Sequence, residues 1–351
     1  MSRGPSVLYD GIVFDLQAMG GISVLFREII TRCPPGSFRF LGYGASPPAF
    51  VPTAAFERRR PRLLERYRDV PVEGRVPLFH STYYRVPASR RTPCVTTVHD
   101  FVYERFVGGL RTAVHARQKR AAILRADAII CVSESTRQDL AHYVGHRAAE
   151  RAAVVHNGVA DGFRPSVDAV VQPQVLFVGQ RGGYKNFVGA VQALEALPDL
   201  ALRCVGGGPF TAAEQALVDR CLPGRARWLG HLSDEQLNSE YNSALCLLYP
   251  SCFEGFGIPV LEAMRAGCPV VAVRAGGVPE AAGDAALLTE RGDPDELRAA
   301  VASLFDARRR SELVARGLVQ AARFGWERSY HGTRAVYESL LGRPFAAASA
   351  P

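Results

Sequence analysis

The chain has 351 residues, 48% of them hydrophobic and 22% charged, with a formal net charge of +8. That length exceeds one ordinary core and suits two domains of roughly 150 residues each. No apolar run reaches the ~18–20 residues that span a bilayer, and MSRGPSVLYDGIVFDL lacks the basic stretch and long apolar stretch of a signal peptide.

Strands and helices alternate along the chain. VLYDGIVFDL (7–16) reads as a strand, and QAMGGISVLFREIITRC as a glycine turn and a helix. PCVTTVHD (93–100) reads as a strand ending in polar residues. RTAVHARQKRAAILRADAIICVS gives a helix and then a strand at Ala128–Val132. SESTRQDLAHYVG follows as a helix with Ser133 and Ser135 as cap candidates, and AAVVHNGV (152–159) as a strand ending in an Asn-Gly turn. ADGFRPSVDAVVQPQ (160–174) has no periodicity and reads as a linker. The pattern then restarts with QVLFVG, KNFVGAVQALEAL, LALRCVGGGP, TAAEQALVDRCL, SDEQLNSEYNSA, LCLLYP, PVVAV and the helix DPDELRAAVASLFDARRR. ERSYHGTRAVYESLL (327–341) closes the series. Repeated βαβ units imply parallel sheets in an α/β class. The expected division is a domain 1–160, a linker 161–174, a domain 175–326 and a helix 327–345 packing back on the first domain.

The eight cysteines (Cys33, Cys94, Cys131, Cys204, Cys221, Cys246, Cys252 and Cys268) form no C-x-x-C pair, and most sit in apolar runs. They read as buried free thiols of a cytosolic protein. Residues 1–165 carry 24 basic and 14 acidic side chains, the remainder 18 and 20. A basic first half suits an anionic partner (phospholipid headgroups, a phosphorylated acceptor, nucleic acid), or is simply a solvated face. Its densest run, Arg58-Arg59-Arg60-Pro61-Arg62, has no interleaved aromatics, which argues against a nucleic-acid platform. The only lysines are Lys119 and Lys185. Lys119 lies in a helical stretch and reads as solvent-facing. Lys185 lies in a loop beside two glycines, where a compact ammonium is a choice over the prevailing arginine.

Ligands of open parallel sheets bind at the carboxyl ends of the strands. Those ends carry Gly20-Gly21, His99-Asp100, Ser133, Asn157-Gly158, Gly179 to Asn186, Gly206 to Gly208, and Glu254 to Glu262. In CFEGFGIPVLEAMRAG, a helix from Glu254 would need two glycines and a proline in its first turns, which is costly. Pro259 suits a first helical position and Gly267 a terminator. Glu254 therefore belongs to a glycine loop, and Glu262 to a helix of about 259–266 whose N-terminus suits a phosphate. Glu262 can then accept hydrogen bonds from a ribose diol. The plain alternative is an ordinary strand–turn–helix with solvated acids. In VGQRGGYKNF, Arg181 and Lys185 in a glycine loop before a helix suit a diphosphate, or else are basic surface residues. No P-loop and no G-x-G-x-x-G occurs. His99 stands just past a buried strand, where a histidine is more often structural. Asp293 to Asp295 reads as a helix N-terminus rather than a metal site, and no other metal-ligand spacing is present.

Together these residues resemble the family-4 glycosyltransferases of GT-B fold. EGFGIPVLEAM is similar to their E-x7-E signature, with Glu254 and Glu262 in its two positions. GGIS, TVHD, VSESTRQDL, HNGV, VGQRGGYKN, YPSCFEGFG and GWERS extend the likeness from about residue 10 to 340. It implies two Rossmann-like domains with a cleft between them, the first for the acceptor and the second for the donor, closing about a hinge near 160–174. It implies a retaining, metal-independent hexosyl transfer from a nucleotide diphosphate sugar, with mannose favoured. Glycan, glycolipid or metabolite hydroxyls are the acceptors it implies, in the cytoplasm or on the inner membrane face. Carried over by position, Arg181 and Lys185 hold the diphosphate, and Glu254 with the backbone at Gly255, Phe256, Gly257 and Ile258 faces the sugar and its phosphate. Glu262 takes the ribose. His99 lies by the reacting sugar, and Gly20, Gly21, Ser133, Asn157, Gly179 and Gly206 border the donor. Gln180 departs from the glycine-arginine order common in the family, which leaves Gln180 and Arg181 as rivals for the arginine position. A nucleotide-sugar epimerase or hydrolase, or a non-catalytic binder, is the competing reading.

Overall fold

The computed structural model describes residues 6–17, 20–74 and 76–345. The chain divides into two compact units, one of Met1–Gly158 with Trp326–Pro351 and one of Val159–Gly325.

The first unit is built on a parallel sheet of seven strands among the described residues: β1 (Val7–Asp10), β2 (Phe38–Gly42), β3 (Phe56–Arg58), β4 (Phe79–Ser81), β5 (Cys94–Val98), β6 (Ala128–Cys131) and β7 (Ala152–Val154). Their order is β3-β2-β1-β4-β5-β6-β7. The central strands β1 and β5 are buried on both faces, which accounts for their unbroken apolar runs. The expected strand 7–16 ends at Asp10, and Ile12–Leu16 is a helix. Gly11 makes the change of direction under the ring of Phe40, where a Cβ would stand 2.2 Å from a ring carbon. The glycine turn expected next falls partly outside the described residues, at Ala18 and Met19.

The helix Trp326–Leu341 belongs to this unit. Its Tyr337 hydroxyl bonds His80 Nδ1 at 2.6 Å and the Tyr9 hydroxyl at 3.1 Å, both within the sheet. Burial lowers the His80 pKa to about 3, with His99 adding to the effect, so His80 is neutral and Tyr337 is tied to the sheet without a charge.

The second unit repeats the plan with β8 (Gln174–Val178), β9 (Ala201–Val205), β10 (Ala226–Trp228), β11 (Cys246–Tyr249), β12 (Val270–Val273) and β13 (Leu287–Thr289), in the order β10-β9-β8-β11-β12-β13. Every pairing is parallel. Its core joins Val175, Phe177, Leu202, Leu248 and Val271 of the strands to Phe187, Val191, Leu194, Leu297 and Val301 of the helices. The segment expected as a linker is part of this unit. Phe163 is buried, the amides of Arg164 and Ser166 donate to Asn238 and Asn242, and Val159 bridges to Gly325. The passage between units is thus at Gly158–Val159 rather than through 161–174. The helix read from DPDELRAAVASLFDARRR is two, Pro294–Ala302 and Ala307–Ala321, because Asp306 caps the second with its carboxylate.

Both strand orders reverse direction of winding once, between β1 and β4 and between β8 and β11. Loops leaving neighbouring strands diverge there and open a crevice at their carboxyl ends.

Candidate functional site

The crevice of the second sheet lies between the loops that follow β8 and β11. The loop after β8 and the loop after β11 meet through Lys185, whose Nζ donates to Glu254 Oε1 at 2.6 Å. Each side chain retains 13% exposure. The Tyr249 hydroxyl at the end of β11 also bonds Glu254. Lys185 lies over the rings of Tyr184 and Tyr249 at 5.1 and 5.6 Å, so its stem is fixed by aromatic faces. Asn186 turns the chain into the helix Phe187–Glu195 at a positive φ of 52°, and its side chain caps that helix by accepting from Gly189 N–H.

The segment from Cys252 folds as a loop and a helix. The helix runs Ile258–Arg265, one residue earlier than expected, with Pro259 in its second position. Gly257 precedes it at a φ of 105°. The helix ends with Gly267 at φ +78°, where Gly267 N–H bonds Met264 O at 3.1 Å and Cys268 N–H bonds Ala263 O at 2.8 Å, a Schellman closure. No side chain caps its start, so its first amide and the positive end of its dipole are presented to the crevice. Phe256 is buried against Phe324.

Glu262 is one turn into the helix and half-buried. Burial pushes its carboxyl up to about 7, opposed by the Tyr241 hydroxyl that donates to it at 3.1 Å and reinforced by Asp234. Glu254 and Glu262 do not share a helix face; each serves a different element.

Arg181 is placed otherwise than its expected role requires. Its guanidinium is buried in the wall: Nε donates to Glu214 at 3.2 Å, Nη1 to Gly206 O at 3.3 Å, and Nη2 to Gly208 O and to Pro209 O at 2.9 Å. It also stacks over Phe210 at 5.0 Å. Arg181 therefore shapes the glycine loop after β9 and is not available to a diphosphate in this conformation, whereas Gln180 is exposed on the rim. Gly179 and Gly206 pack backbone to backbone, a Cβ on Gly206 falling 3.6 Å from Gly179.

Sequence reasoning missed the loop after β12. A Cβ on Gly276 would stand 2.1 Å from Glu254 O, and one on Gly277 2.4 Å from Gly255 O. Gly277 N–H donates to Glu254 O at 2.8 Å. This Gly-Gly pair packs against the E-x7-E loop, and the signal for it was two adjacent glycines separated from a buried strand by Arg274 and Ala275.

In the first unit, the corresponding crevice is filled. Asp10 at the end of β1 accepts from Ser81 Oγ at 3.0 Å, from Tyr43 at 2.9 Å and from Arg85 at 2.9 Å, and Arg85 also binds Glu65. Burial pushes the Asp10 carboxyl above its ordinary range against the pull of Arg85. Gly20 and Gly21 open the helix Gly21–Thr31 without a side-chain cap. His99, half-buried after β5, donates its amide to the Tyr84 hydroxyl at 3.4 Å, and its ring faces Phe26. Burial, with Lys119 nearby, lowers its pKa to about 3.

Lys119 itself is buried, contrary to expectation. Its Nζ donates to Asp100 O at 2.9 Å and Glu104 at 2.8 Å, under the ring of Phe101, and so pins the loop that carries His99. Ser133 is fully buried and caps the helix Glu134–Tyr143, so its hydroxyl is committed to Thr136 rather than offered to a ligand. Asn157 is buried after β7. Seven cysteines are buried and Cys252 is exposed, all eight unpaired. Asp293 caps its helix, as expected. Among the described residues no group of three His, Cys, Asp or Glu side chains is arranged to hold a metal.

Comparison with known proteins matches residues 22–162 to the profile of Glycosyltransferase Family 4 and residues 164–317 to that of Glycosyl transferases group 1. The chain belongs to glycosyltransferase family 4. This family-4 glycosyltransferase is 29% identical over 316 residues to the O-antigen chain mannosyltransferase B of Escherichia coli, covering 82% of each chain. Sucrose-phosphate synthase from Thermosynechococcus elongatus superposes on it with a TM-score of 0.78 at 19% identity, covering 97% of this chain and 100% of that one. HepE of Anabaena, solved in complex with UDP-glucose, does so with a TM-score of 0.72 at 17% identity, covering 95% and 99%. The fold of the glycosyltransferase is GT-B, as its sequence implied.

Proposed function

We propose that the chain transfers a hexose, with retention at the anomeric carbon, from a nucleoside diphosphate sugar to a hydroxyl of a glycan, glycolipid or metabolite in the cytoplasm. The observation that carries this reading is the Lys185–Glu254 pair set across the second sheet's crevice, beside an uncapped helix start. Mannose is the favoured sugar because a relative matched over 82% of both chains is named a mannosyltransferase. The nucleotide-sugar class is supported by the likeness of fold to HepE.

In the proposed reaction the anomeric C–O bond breaks with its electron pair going to the diphosphate. The acceptor oxygen bonds to the anomeric carbon on the same face, and the acceptor proton passes to the departing phosphate oxygen. Lys185 and the helix start at Ile258 meet the developing negative charge, a contribution worth about 2.7–4 kcal/mol by analogy with oxyanion donors. Because these groups supply the positive charge, we propose that no metal is needed. Glu254 orients the sugar once a diphosphate has drawn Lys185 from it, and Glu262 accepts from the ribose diol. Burial keeps His99 neutral, so its ring can accept or donate a hydrogen bond without adding charge.

A thermal-shift screen with UDP, GDP, ADP and dTDP tests the reading. A nucleotide at 100 times its dissociation constant stabilises by about 2.7 kcal/mol, and the Lys185→Ala chain should lose that stabilisation. Turnover of GDP-mannose and UDP-hexoses with EDTA present tests the rest. Near-normal rates in Lys185→Ala and Glu262→Ala, or a requirement for added metal, would overturn it.

A further inference from the structure

The basic run near residue 60 forms a built feature of the first unit. Residues 58–68 carry six arginines against one glutamate. At the tip, Leu63 is 82% exposed and Leu64 63% exposed, and Tyr67 beside them is 45% exposed. Leu64 stands at a φ of 57°, a left-handed conformation that a leucine side chain disfavours. The turn is held there from below. Glu65 is buried, bound by Arg62 through its backbone amide at 2.9 Å and its guanidinium at 2.7 and 2.8 Å, and by fully buried Arg85. Arg68 Nε clamps Leu63 O at 2.8 Å. The ion network that fills the first crevice is thus also the footing of this loop, and it presses two leucines outward at the cost of backbone strain. Such strain persists only where the surroundings over-determine it, and it gathers at functional positions.

The loop does not stand alone. Gln118 Nε2 donates to Arg66 O at 2.6 Å, and Arg125 bonds Asp69 at 2.9 Å, which lays the loop along the helix Leu110–Arg125. Val114 on that helix is 44% exposed, and Tyr103, whose ring meets His115 at 4.3 Å, is 39% exposed. Arg58 and Arg60 are exposed and have no ion-pair partner among the described residues. The acids nearby are spent: Asp69 on Arg125, Glu73 on Arg59 and Glu104 on Lys119.

We propose that this face docks on an anionic lipid surface, with Leu63 and Leu64 entering the acyl boundary and Arg58 and Arg60 meeting headgroup phosphates. Two protruding leucines within a run of six arginines match the two components of an interfacial anchor, one apolar and one electrostatic. Guanidinium forks fit phosphate oxygens. This partner adds to the proposed transfer reaction, and its test does not depend on the donor.

The experiment is co-sedimentation of the full chain with vesicles of phosphatidylcholine alone and of phosphatidylcholine mixed with phosphatidylglycerol. Binding is expected only to the mixed vesicles and should weaken as salt is raised. Arg58→Gln with Arg60→Gln, and separately Leu63→Asp with Leu64→Asp, should each lower the partition about tenfold or more. Leu64→Gly separates docking from folding. Glycine accepts the positive φ, so the melting temperature should hold or rise while vesicle binding falls. The nucleotide-induced thermal shift should be unchanged in all of these variants, so a failed donor assignment and a failed docking face register in different assays. Absence of binding by the unmodified chain, equal binding to both vesicle types, or undiminished binding of Leu64→Gly would overturn the proposal.

Discussion

Arg181 is the residue at which motif and geometry part company, and replacing it distinguishes a wall from a ligand contact. In Arg181→Met the side chain keeps much of its apolar stem but loses its bonds to three carbonyls of the 206–209 loop and to Glu214. Removing one partner of a buried charge pair costs about 3–5 kcal/mol, because the other is left uncompensated. Glu214 is the group left behind. Burial raises its pKa, but Thr211 and Arg181 together outweigh burial and hold it below its ordinary value. A unit of this size shifts its melting temperature by about 2–4 °C per kcal/mol, so a fall of about 6–20 °C is expected. The loss should be steeper above the Glu214 titration range, where its carboxylate is charged. Calorimetry across pH, with a nucleotide titration on the surviving fold, makes the measurement. Arg181→Lys should recover part of the stability, since one ammonium can reach only some of the four acceptors. A melting temperature within about 2 °C of the parent chain together with loss of nucleotide binding would refute the placement. It would mean that the guanidinium leaves the wall for the diphosphate.

Lys185→Met should lower turnover of a nucleotide sugar at least about tenfold while changing the urea midpoint little, because its pair with Glu254 is partly solvated. A normal turnover number would remove Lys185 from the chemistry. Glu262, whose carboxyl is pushed from 4.5 to about 7, holds a proton in the fold that the unfolded chain has released between those values. Stability should therefore decline as pH rises from about 4.5 to 7, and Glu262→Gln should flatten that decline in urea midpoints measured at pH 5 and pH 8. On the acid side, His80 and His99 at about 3 and His115 at about 4 stay neutral in the fold, while the unfolded chain takes up protons near 6.5. The first unit should thus lose up to about 1.4 kcal/mol per pH unit per histidine below pH 6.5, and a flat acid profile would show that these rings are open to water. Lys119→Met should raise the His99 pKa, read as a shift in its ring proton resonances, with the charge-conserving Lys119→Arg changing it less.

Much of the second unit was legible because its rules are local. Glycines and a proline between Glu254 and Glu262 forbid one continuous helix, and a glycine after Arg265-Ala266 ends it, so the loop, the helix and the separate fates of the two acids could be read from the chain. Lys185 stood out because arginine is otherwise the rule. What escaped was everything that depends on a partner far along the chain. Arg181 and Lys119 look like exposed cations until the carbonyls and acids that receive them are brought in from residues 206–214 and 100–104. The segment 160–174 lacks periodicity, yet it is held by Asn238 and Asn242, which no local pattern reveals. The strand expected to 16 breaks at Gly11 because the ring of Phe40 occupies the place of a side chain.

The two crevices, one per sheet, suggest how work is divided within each fold. In the first, Arg85 and Asp10 are wholly buried and Arg85 is shared with Glu65, so breaking the network would strand charges in a dry interior. That crevice is a foundation, and it supports the strained loop at Leu64. In the second, the same topological position holds a single lysine and a single glutamate, each still touched by solvent. A diphosphate arriving there can take the ammonium from Glu254 and leave the carboxylate to hydrogen-bond sugar hydroxyls, with no charge abandoned in either state. An exchangeable pair of this kind keeps the empty site neutral and gives the donor's phosphates a cation that is already positioned. Glu254→Gln should accordingly tighten binding of a nucleoside diphosphate lacking the sugar, since Lys185 no longer has to be drawn from a carboxylate, while it weakens discrimination in favour of the intact nucleotide sugar. Calorimetric titration of both ligands into the two chains would show it, and looser binding of the bare diphosphate by the variant would mean that Glu254 positions Lys185 rather than competing for it.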